Sequence, residues 1–285
     1  MAAKTLELKG VSATTTPAPG IRQAETVTKL VDTTTCIGCK ACEVACQQWN
    51  DLPPETTVQF GTYQTLPELT PNFWNLIRFT ETEVNNAPAW LMRKDQCMHC
   101  AEPGCLLACP APNAIVQYSN GIVDFNQEHC IGCGYCITGC PFNIPKLSKK
   151  TGRVYKCTLC VDRVSVGLEP ACIKACPTGC LQFGTKPQML ELAQRRVDQL
   201  KANGFAHAVV YDPPGVGGTG VVTVVAHGDR LGEYGLPENP SIPWTVTLWK
   251  KPLRWLGTLG MIAGVVVASL HYLRFGPKHV KGDQR

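Results

Sequence analysis

The 285-residue sequence has no long run of Lys or Arg, no recognisable export leader in residues 1–20 and no dinucleotide fingerprint, and the first and last of these count against nucleic-acid and dinucleotide binding. The formal net charge is +5, but the 27 basic residues are scattered, so nucleic acid is not an expected partner. Residues 1–20 (MAAKTLELKGVSATTTPAPG) lack both an apolar core and a twin arginine, and read as a flexible Thr/Pro-rich arm. No nucleophile stands beside a signature base and no pterin site is recognisable, so the chain is not expected to turn over a substrate itself. The one glycine-rich stretch, Gly215-Val216-Gly217-Gly218-Thr219-Gly220, lies between strand-like runs at 208–211 and 221–226. A dinucleotide site would lead from a strand into a helix, so this reads as a loop. Charged residues are only 17% against 44% hydrophobic, which suits compact domains with a real core.

What the sequence does have is cysteine, 17 in all. Sixteen fall into four groups: Cys36-x2-Cys39-x2-Cys42-x3-Cys46, Cys97-x2-Cys100-x4-Cys105-x3-Cys109-Pro110, Cys130-x2-Cys133-x2-Cys136-x3-Cys140-Pro141 and Cys157-x2-Cys160-x11-Cys172-x3-Cys176-Pro177. The x2-x2 spacing lets a tight loop turn three thiolates toward one iron-sulfur cube, while the cysteine three residues on is carried to a neighbouring cluster. Zinc would want two pairs of ligands, into which the triplets at Cys36 and Cys130 do not divide. Sequential C-x2-C runs would also be poor disulfide staples. Four [4Fe-4S] centres with their thiolates carry about −2 each when oxidised, turning +5 into about −3, so the scattered basic residues read as local compensation for buried anions.

The segment between Cys109 and Cys130 holds two short strand-like runs, 114–118 and 122–125, around Ser119-Asn120-Gly121, the layout of a small two-cluster ferredoxin. Groups two and three therefore pair, leaving group one with group four. Exchange of last cysteines then predicts Cys97, Cys100, Cys105 with Cys140; Cys130, Cys133, Cys136 with Cys109; Cys36, Cys39, Cys42 with Cys176; and Cys157, Cys160, Cys172 with Cys46. The expected fold class is α+β: two nested, pseudo-symmetric 2[4Fe-4S] ferredoxin-like units plus a single C-terminal transmembrane helix. The divisions expected are an arm (1–29), an outer unit (30–92 and 150–184), an inner unit (93–149), a helix, strands and linker (185–252), an anchor (253–275) and a tail (276–285). Cys180 reads as a small buried thiol, and His99 and His129 as surface or supporting histidines.

Residues 187–202 place Leu190, Ala193, Val197 and Leu200 at helical spacing with Gly204 beyond, an amphipathic helix expected to pack on the ferredoxin body. Residues 255–273 carry no Lys, Arg, Asp or Glu; as a helix they span about 30 Å, one bilayer core. Gly260, Gly264 and Ala268 lie four apart on one face, open to a partner helix. His271, near the end of the span, suits a hydrogen bond to a partner or a lipid headgroup rather than a haem or quinone role. Lys250, Lys251 and Arg254 precede the span and Arg274, Lys278, Lys281 and Arg285 follow it, a slight bias toward a cytoplasmic C-terminus.

The segments TCIGCKACEVACQQWND (35–51), RKDQCMHCAEPGCLLACP (93–110), GIVDFNQEHCIGCGYCITGCPFNIP (121–145) and RVYKCTLCVDRVSVGLEPACIKACPTG (153–179) resemble the iron-sulfur beta subunits of membrane-bound respiratory formate dehydrogenases of the N and O type. The resemblance continues through FGTKPQMLELAQRRV, GVGGTG, GLPENP and the anchor, nearly the whole chain. The cluster motifs alone are shared with subunits of nitrate, dimethyl sulfoxide and polysulfide reductases and some hydrogenases, so a different molybdenum or hydrogenase partner is the alternative. The resemblance implies a catalytic alpha subunit with a molybdenum or tungsten bis-pterin guanine dinucleotide, and a cytochrome b gamma subunit that passes electrons through haem b to quinone. It implies an inner-membrane location with the hydrophilic part in the periplasm. All sixteen family ligand positions are Cys here, favouring four [4Fe-4S] centres, and Cys180 stands where alanine is expected.

Overall fold

Four short helices organise the cysteines. In α1 (Ala41–Trp49), α2 (Gly104–Ala108), α3 (Tyr135–Thr138) and α5 (Ala171–Lys174; α4 is Val161–Ser165), the second residue is the third cysteine of its group, Cys42, Cys105, Cys136 or Cys172. The last cysteine follows four residues later, within α1 and just past the end of the other three helices, so the two thiols can serve different centres. Helix α1 packs on α5 and α2 on α3, pairing group one with four and two with three. At the inner crossing the backbones nearly touch: a Cβ on Gly104 would stand 2.2 Å from the Gly139 carbonyl oxygen, and one on Gly139 2.7 Å from Ala108 Cβ.

The computed structural model describes residues 10–12, 26–84, 86–248, 250 and 253–276. They form two compact units divided between Pro243 and Trp244. In the first, β5 (Ile115–Tyr118) and β6 (Val123–Phe125) make the hairpin read from the sequence, with Ile115 opposite Phe125. Residues 10–12, read as part of a flexible arm, instead pair as β1 (Gly10–Ser12) with β5. The remainder of 1–25 lies outside the described residues.

A second sheet closes the chain's ends over the outer cysteine groups. Its order is β10 (Val209–Tyr211), β11 (Val221–Val225), β2 (Val27–Asp32), β9 (Leu181–Thr185), with β11 and β2 parallel and the other pairs antiparallel. Helix α6 (Lys186–Ala202) begins at a capping box formed by Thr185 and Gln188 with a proline in its first turn. It seats Met189, Ala193, Val197 and Leu200 against Leu30, Val222 and Val224, the amphipathic helix expected.

The connection 47–96, read from the sequence only as a connector, contains a hairpin of β3 (Leu76–Val84) and β4 (Ala87–Asp95), nine residues each. Glu43 of α1 fixes it: its buried carboxylate accepts from the Ile77 backbone N–H at 2.6 Å and the Thr65 hydroxyl at 2.6 Å. A smaller hairpin, β7 (Lys146–Ser148) with β8 (Arg153–Tyr155), links groups three and four.

The second unit holds α7 (Trp244–Leu248) and α8 (Arg254–Phe275). Within α8, Trp255–Phe275 has a mean hydropathy of 1.7 and is exposed along its length, as an apolar helix awaiting lipid would be. Gly264, Ala268, His271 and Tyr272 line a shallow groove on one face.

Candidate metal centres

None of the 17 cysteines is in a disulfide. Three of the four sets line internal spaces. The first cavity, about 340 Å³ of empty space, is lined by Cys36, Cys39, Cys42 and Cys176, with Lys94 and Cys180 also in its wall. Cys39 is exposed, Cys36 and Cys176 are half-buried and Cys42 is buried. Cys180, 3% exposed, hydrogen-bonds Cys36, and this contact draws the Cys36 thiol below its ordinary value. The expected buried thiol is therefore in place, but it lies in the cavity wall against Cys36.

The second cavity, about 290 Å³, is lined by Cys46, Cys157, Cys160 and Cys172, every one buried. Lys29 Nζ donates to Cys172 Sγ at 3.1 Å and to Gln96 Oε1 at 2.9 Å. Gln96 Nε2 is buried with no partner. An amide N–H left over in the wall of a thiol-lined space fits an inorganic sulfide, since a buried donor without an acceptor is costly.

In a third group Cys97, Cys100 and Cys105 are buried and Cys140 is half-buried. Burial pushes Cys97 up to about 11, and the leading charged neighbours of Cys105 are Cys140 and then Cys97. The loop carrying Cys97 and Cys100 is held by the glycine-rich stretch 215–220. Ala101 N–H donates to the Gly218 carbonyl at 2.9 Å, Glu102 N–H to that of Val216 at 2.8 Å, and Gly220 N–H to that of His99 at 2.9 Å. That stretch is a clasp for a cysteine loop, which explains its glycines: Gly217 and Gly218 have φ of +72° and +85°. His99, expected at the surface or in a supporting place, is fully buried. Its Nδ1 accepts from Val123 N–H at 3.1 Å while Nε2 finds no partner. Burial, with the charges of Lys156 and Lys29, holds the imidazole well below its ordinary value and so neutral. His129 is exposed.

The fourth cavity, about 310 Å³, is lined by Cys109, Cys130, Cys133 and Cys136, with Cys133 exposed. Gly132 sits in its rim at φ +68°, and a Cβ there would fall 2.0 Å from the Gly152 carbonyl oxygen. Burial pushes Cys136 up to about 12, so this thiol resists ionising until a cation compensates the charge. Among the described residues, no three His, Cys, Asp or Glu side chains close to the spacing of a single-ion site.

Three lysines supply buried positive charge. Lys29, Lys94 and Lys156 are 0%, 4% and 3% exposed. Lys94 Nζ bonds Asn75 Oδ1, and Lys156 Nζ donates to the carbonyls of Val123 at 2.6 Å and Cys157 at 2.8 Å. Burial alone would lower each ammonium, yet neighbouring thiolates outweigh it and hold all three above the ordinary lysine value. Thiol-lined cavities, orphaned amide and imidazole N–H groups and buried cations together fit anionic iron-sulfur clusters.

A fold of paired cysteine helices, with short strands closing each pair, defines a ferredoxin-like iron-sulfur protein. Two family models described as 4Fe-4S dicluster domain match residues 35–114 and 88–186, and one described as formate dehydrogenase N, transmembrane, matches 242–285. The nitrate-inducible formate dehydrogenase iron-sulfur subunit of Escherichia coli K12 is 54% identical over 100% of this chain and 98% of its own. The formate dehydrogenase-O iron-sulfur subunit of the same organism is 53% identical over 94% of this chain and 90% of its own, and the formate dehydrogenase iron-sulfur subunit of Haemophilus influenzae 52% over 96% and 89%. The chain belongs to the iron-sulfur subunits of formate dehydrogenases, and α8 is its membrane anchor.

Proposed function

We propose that the sixteen grouped cysteines ligate four [4Fe-4S] clusters in the sets that line or neighbour each cavity, and that the chain conducts electrons from formate oxidation in a partner subunit to a partner in the membrane. Each cluster, when bound, takes up and releases one electron. The chain's own residues hold the four centres in series. Lys94 is acted on by Cys42 of the first cavity and by Cys172, Cys46 and Cys157 of the second; Cys97 of the third is a charged neighbour of Cys157 of the second; and the α2–α3 crossing joins the third to the fourth.

Only the end cavities expose a ligand, Cys39 at one and Cys133 at the other. Apolar side chains flank these openings: Ile37 at the first, Ile131 and Tyr135 at the fourth. An observation that supports the direction is Ile242, whose side chain would lie 3.4 Å from a Cβ on Gly104. Residue 242 thus lies beside the inner crossing, and in this reading the fourth centre is the membrane-side terminal and the first the entry.

The entry partner is a catalytic alpha subunit with a Mo or W bis-pterin guanine dinucleotide; the exit partner is a cytochrome b gamma subunit that hands electrons through haem b to quinone. The hydrophilic part lies in the periplasm and the C-terminus in the cytoplasm, in keeping with Arg274, Lys278, Lys281 and Arg285 after the span. The small-residue face of α8 at Gly260, Gly264 and Ala268 suits close approach of a gamma-subunit helix. The chain has no catalytic site of its own in this reading.

EPR of the complex captured from native membranes through a tag on this chain, before and after anaerobic formate, tests the reading. Reduced [4Fe-4S] signals should appear with formate. Reduction by dithionite but not by formate would reassign the catalytic partner, and zinc in place of iron and acid-labile sulfide would end the cluster reading.

A further inference from the structure

The second cavity is the hardest place in the chain to put an electron. Its four thiols are only 6% or 7% exposed, so water does little to stabilise the extra negative charge that reduction brings. With four thiolates a [4Fe-4S] centre passes from about −2 to about −3, and deep burial disfavours the second state. Left to burial alone, such a centre would have a potential out of line with its more exposed neighbours.

Of the three buried lysines, Lys29 lines this cavity, Lys94 lines the first and has its partner Asn75 in the wall of the second, and Lys156 acts foremost on Cys97 of the third group but reaches Cys157 as well. Lys29 touches it directly through Cys172 Sγ at 3.1 Å. Three of the four leading thiol neighbours of Lys94 belong to it, and Lys156 holds the Cys157 backbone carbonyl at 2.8 Å. The hydrogen bonds of Lys29 and Lys94 go to the neutral amide oxygens of Gln96 and Asn75, so these partners leave the positive charge uncancelled. The fourth cavity differs: no lysine is in its wall, and Phe125, which lines it, presents its ring to Lys156 Nζ at 4.9 Å.

We propose that Lys29, Lys94 and Lys156 are a set of fixed positive charges that raises the reduction potential of the group held by Cys46, Cys157, Cys160 and Cys172 and keeps it usable between its neighbours. A positive charge stabilises the −3 state more than the −2 state, which fixes the sign. Lys29 has the largest effect because it also donates to a ligand sulfur. Lys94 acts on the first and second centres together, and Lys156 on the second and third. The fourth centre is left to its own exposure. These lysines are positioning residues: they act on the group through its ligands and its field.

The inference rests on the cluster reading above, so the test begins with iron and acid-labile sulfide in the tagged complex; their absence would sink that reading and not this one in particular. Lys29→Met, Lys94→Met and Lys156→Met complexes are then titrated potentiometrically with EPR detection. A Cys172→Ser complex marks the signal that belongs to the second cavity. Lys29→Met should make that one signal harder to reduce by about tenfold at a fixed potential, a fall of about 59 mV for a one-electron couple. Lys94→Met and Lys156→Met should lower the same signal together with one neighbour each, with the fourth signal unmoved in all three. Lys29→Arg, which keeps the charge, should recover most of the shift. Full cluster content with unchanged midpoints would overturn the inference. So would three variants that each move a different signal with none in common, or cluster loss in Lys29→Met with every midpoint unmoved in the other two.

Discussion

The outer and inner units solve the same local problem and close it differently. Both cross two short helices so that the last cysteine of each group reaches toward the other group's centre. In the inner unit only 20 residues separate the two groups, and the crossing is backbone on backbone at Gly104 and Gly139. In the outer unit the two groups flank the entire inner unit. Their closure needs the β2–β9 pairing, its extension by β11 and β10, and α6 across the back. The difference teaches that the cysteine motif supplies only the local turn. What holds a pair of motifs together is tight glycine packing where the chain is short, and a separate hydrophobic core where it is long.

The sharpest test of that contrast removes a thiol from each end of the burial range. Cys172→Ala leaves a buried centre without a ligand and strips Lys29 of one of its two acceptors, so the complex should lose the second centre and, with it, ordered packing of α1 on α5. Cys133→Ala, at an exposed position, should cost the fourth centre alone. Iron per chain, expected near sixteen when all four are filled, separates the two: clearly below about twelve for Cys172→Ala and close to about twelve for Cys133→Ala. Equal losses would mean that the outer unit is no more dependent on its ligands than the inner.

Next in size is the inner crossing itself. Gly139→Val would drive a side chain into Ala108 Cβ and the Gly104 carbonyl, each 2.7 Å from the new Cβ. Overpacking of this kind costs about 1–3 kcal/mol or more. The third and fourth centres should be lost on mild heating while the outer pair persists, read by EPR during a temperature series. The smallest loss of centres, although not of stability, is expected at the outer core. Leu200→Ala, 4% exposed between α6 and the sheet, should destabilise the outer unit by about 2–5 kcal/mol, with no change in the inner centres until it unfolds. Thermal denaturation of the complex followed by far-UV CD and cluster absorbance checks it.

Much of the organisation was legible because it is written in short periods. The x2-x2-x3 spacing marks a loop followed by a helical turn, the alternation around Ser119-Asn120-Gly121 marks β5 and β6, and the stripe through Ala193, Val197 and Leu200 marks α6. The β3–β4 hairpin was not read because its strands mix charge and apolar residues freely: Arg93, Lys94 and Asp95 are all buried at the end of β4, where polar partners replace apolar burial. His99 was read as a surface or supporting residue, but a clasp from residues 215–220, more than a hundred positions away, covers it. The basic residues were expected to compensate buried anions. Which three do so could not be read, since Lys29, Lys94 and Lys156 share no local pattern.

The sequence by itself determined the number of thiol groups, the amphipathic helix and the apolar anchor, because each is a matter of spacing within a few turns of chain. Only the tertiary structure decided which centre is wholly enclosed, which thiols face outward, and where the three buried ammonium groups lie. Those depend on segments that meet across long separations: β2 against β9 and β11, and the glycine clasp on the loop of Cys97 and Cys100. Solvent exclusion and buried charge are properties of that assembly, and no local run of residues carries them.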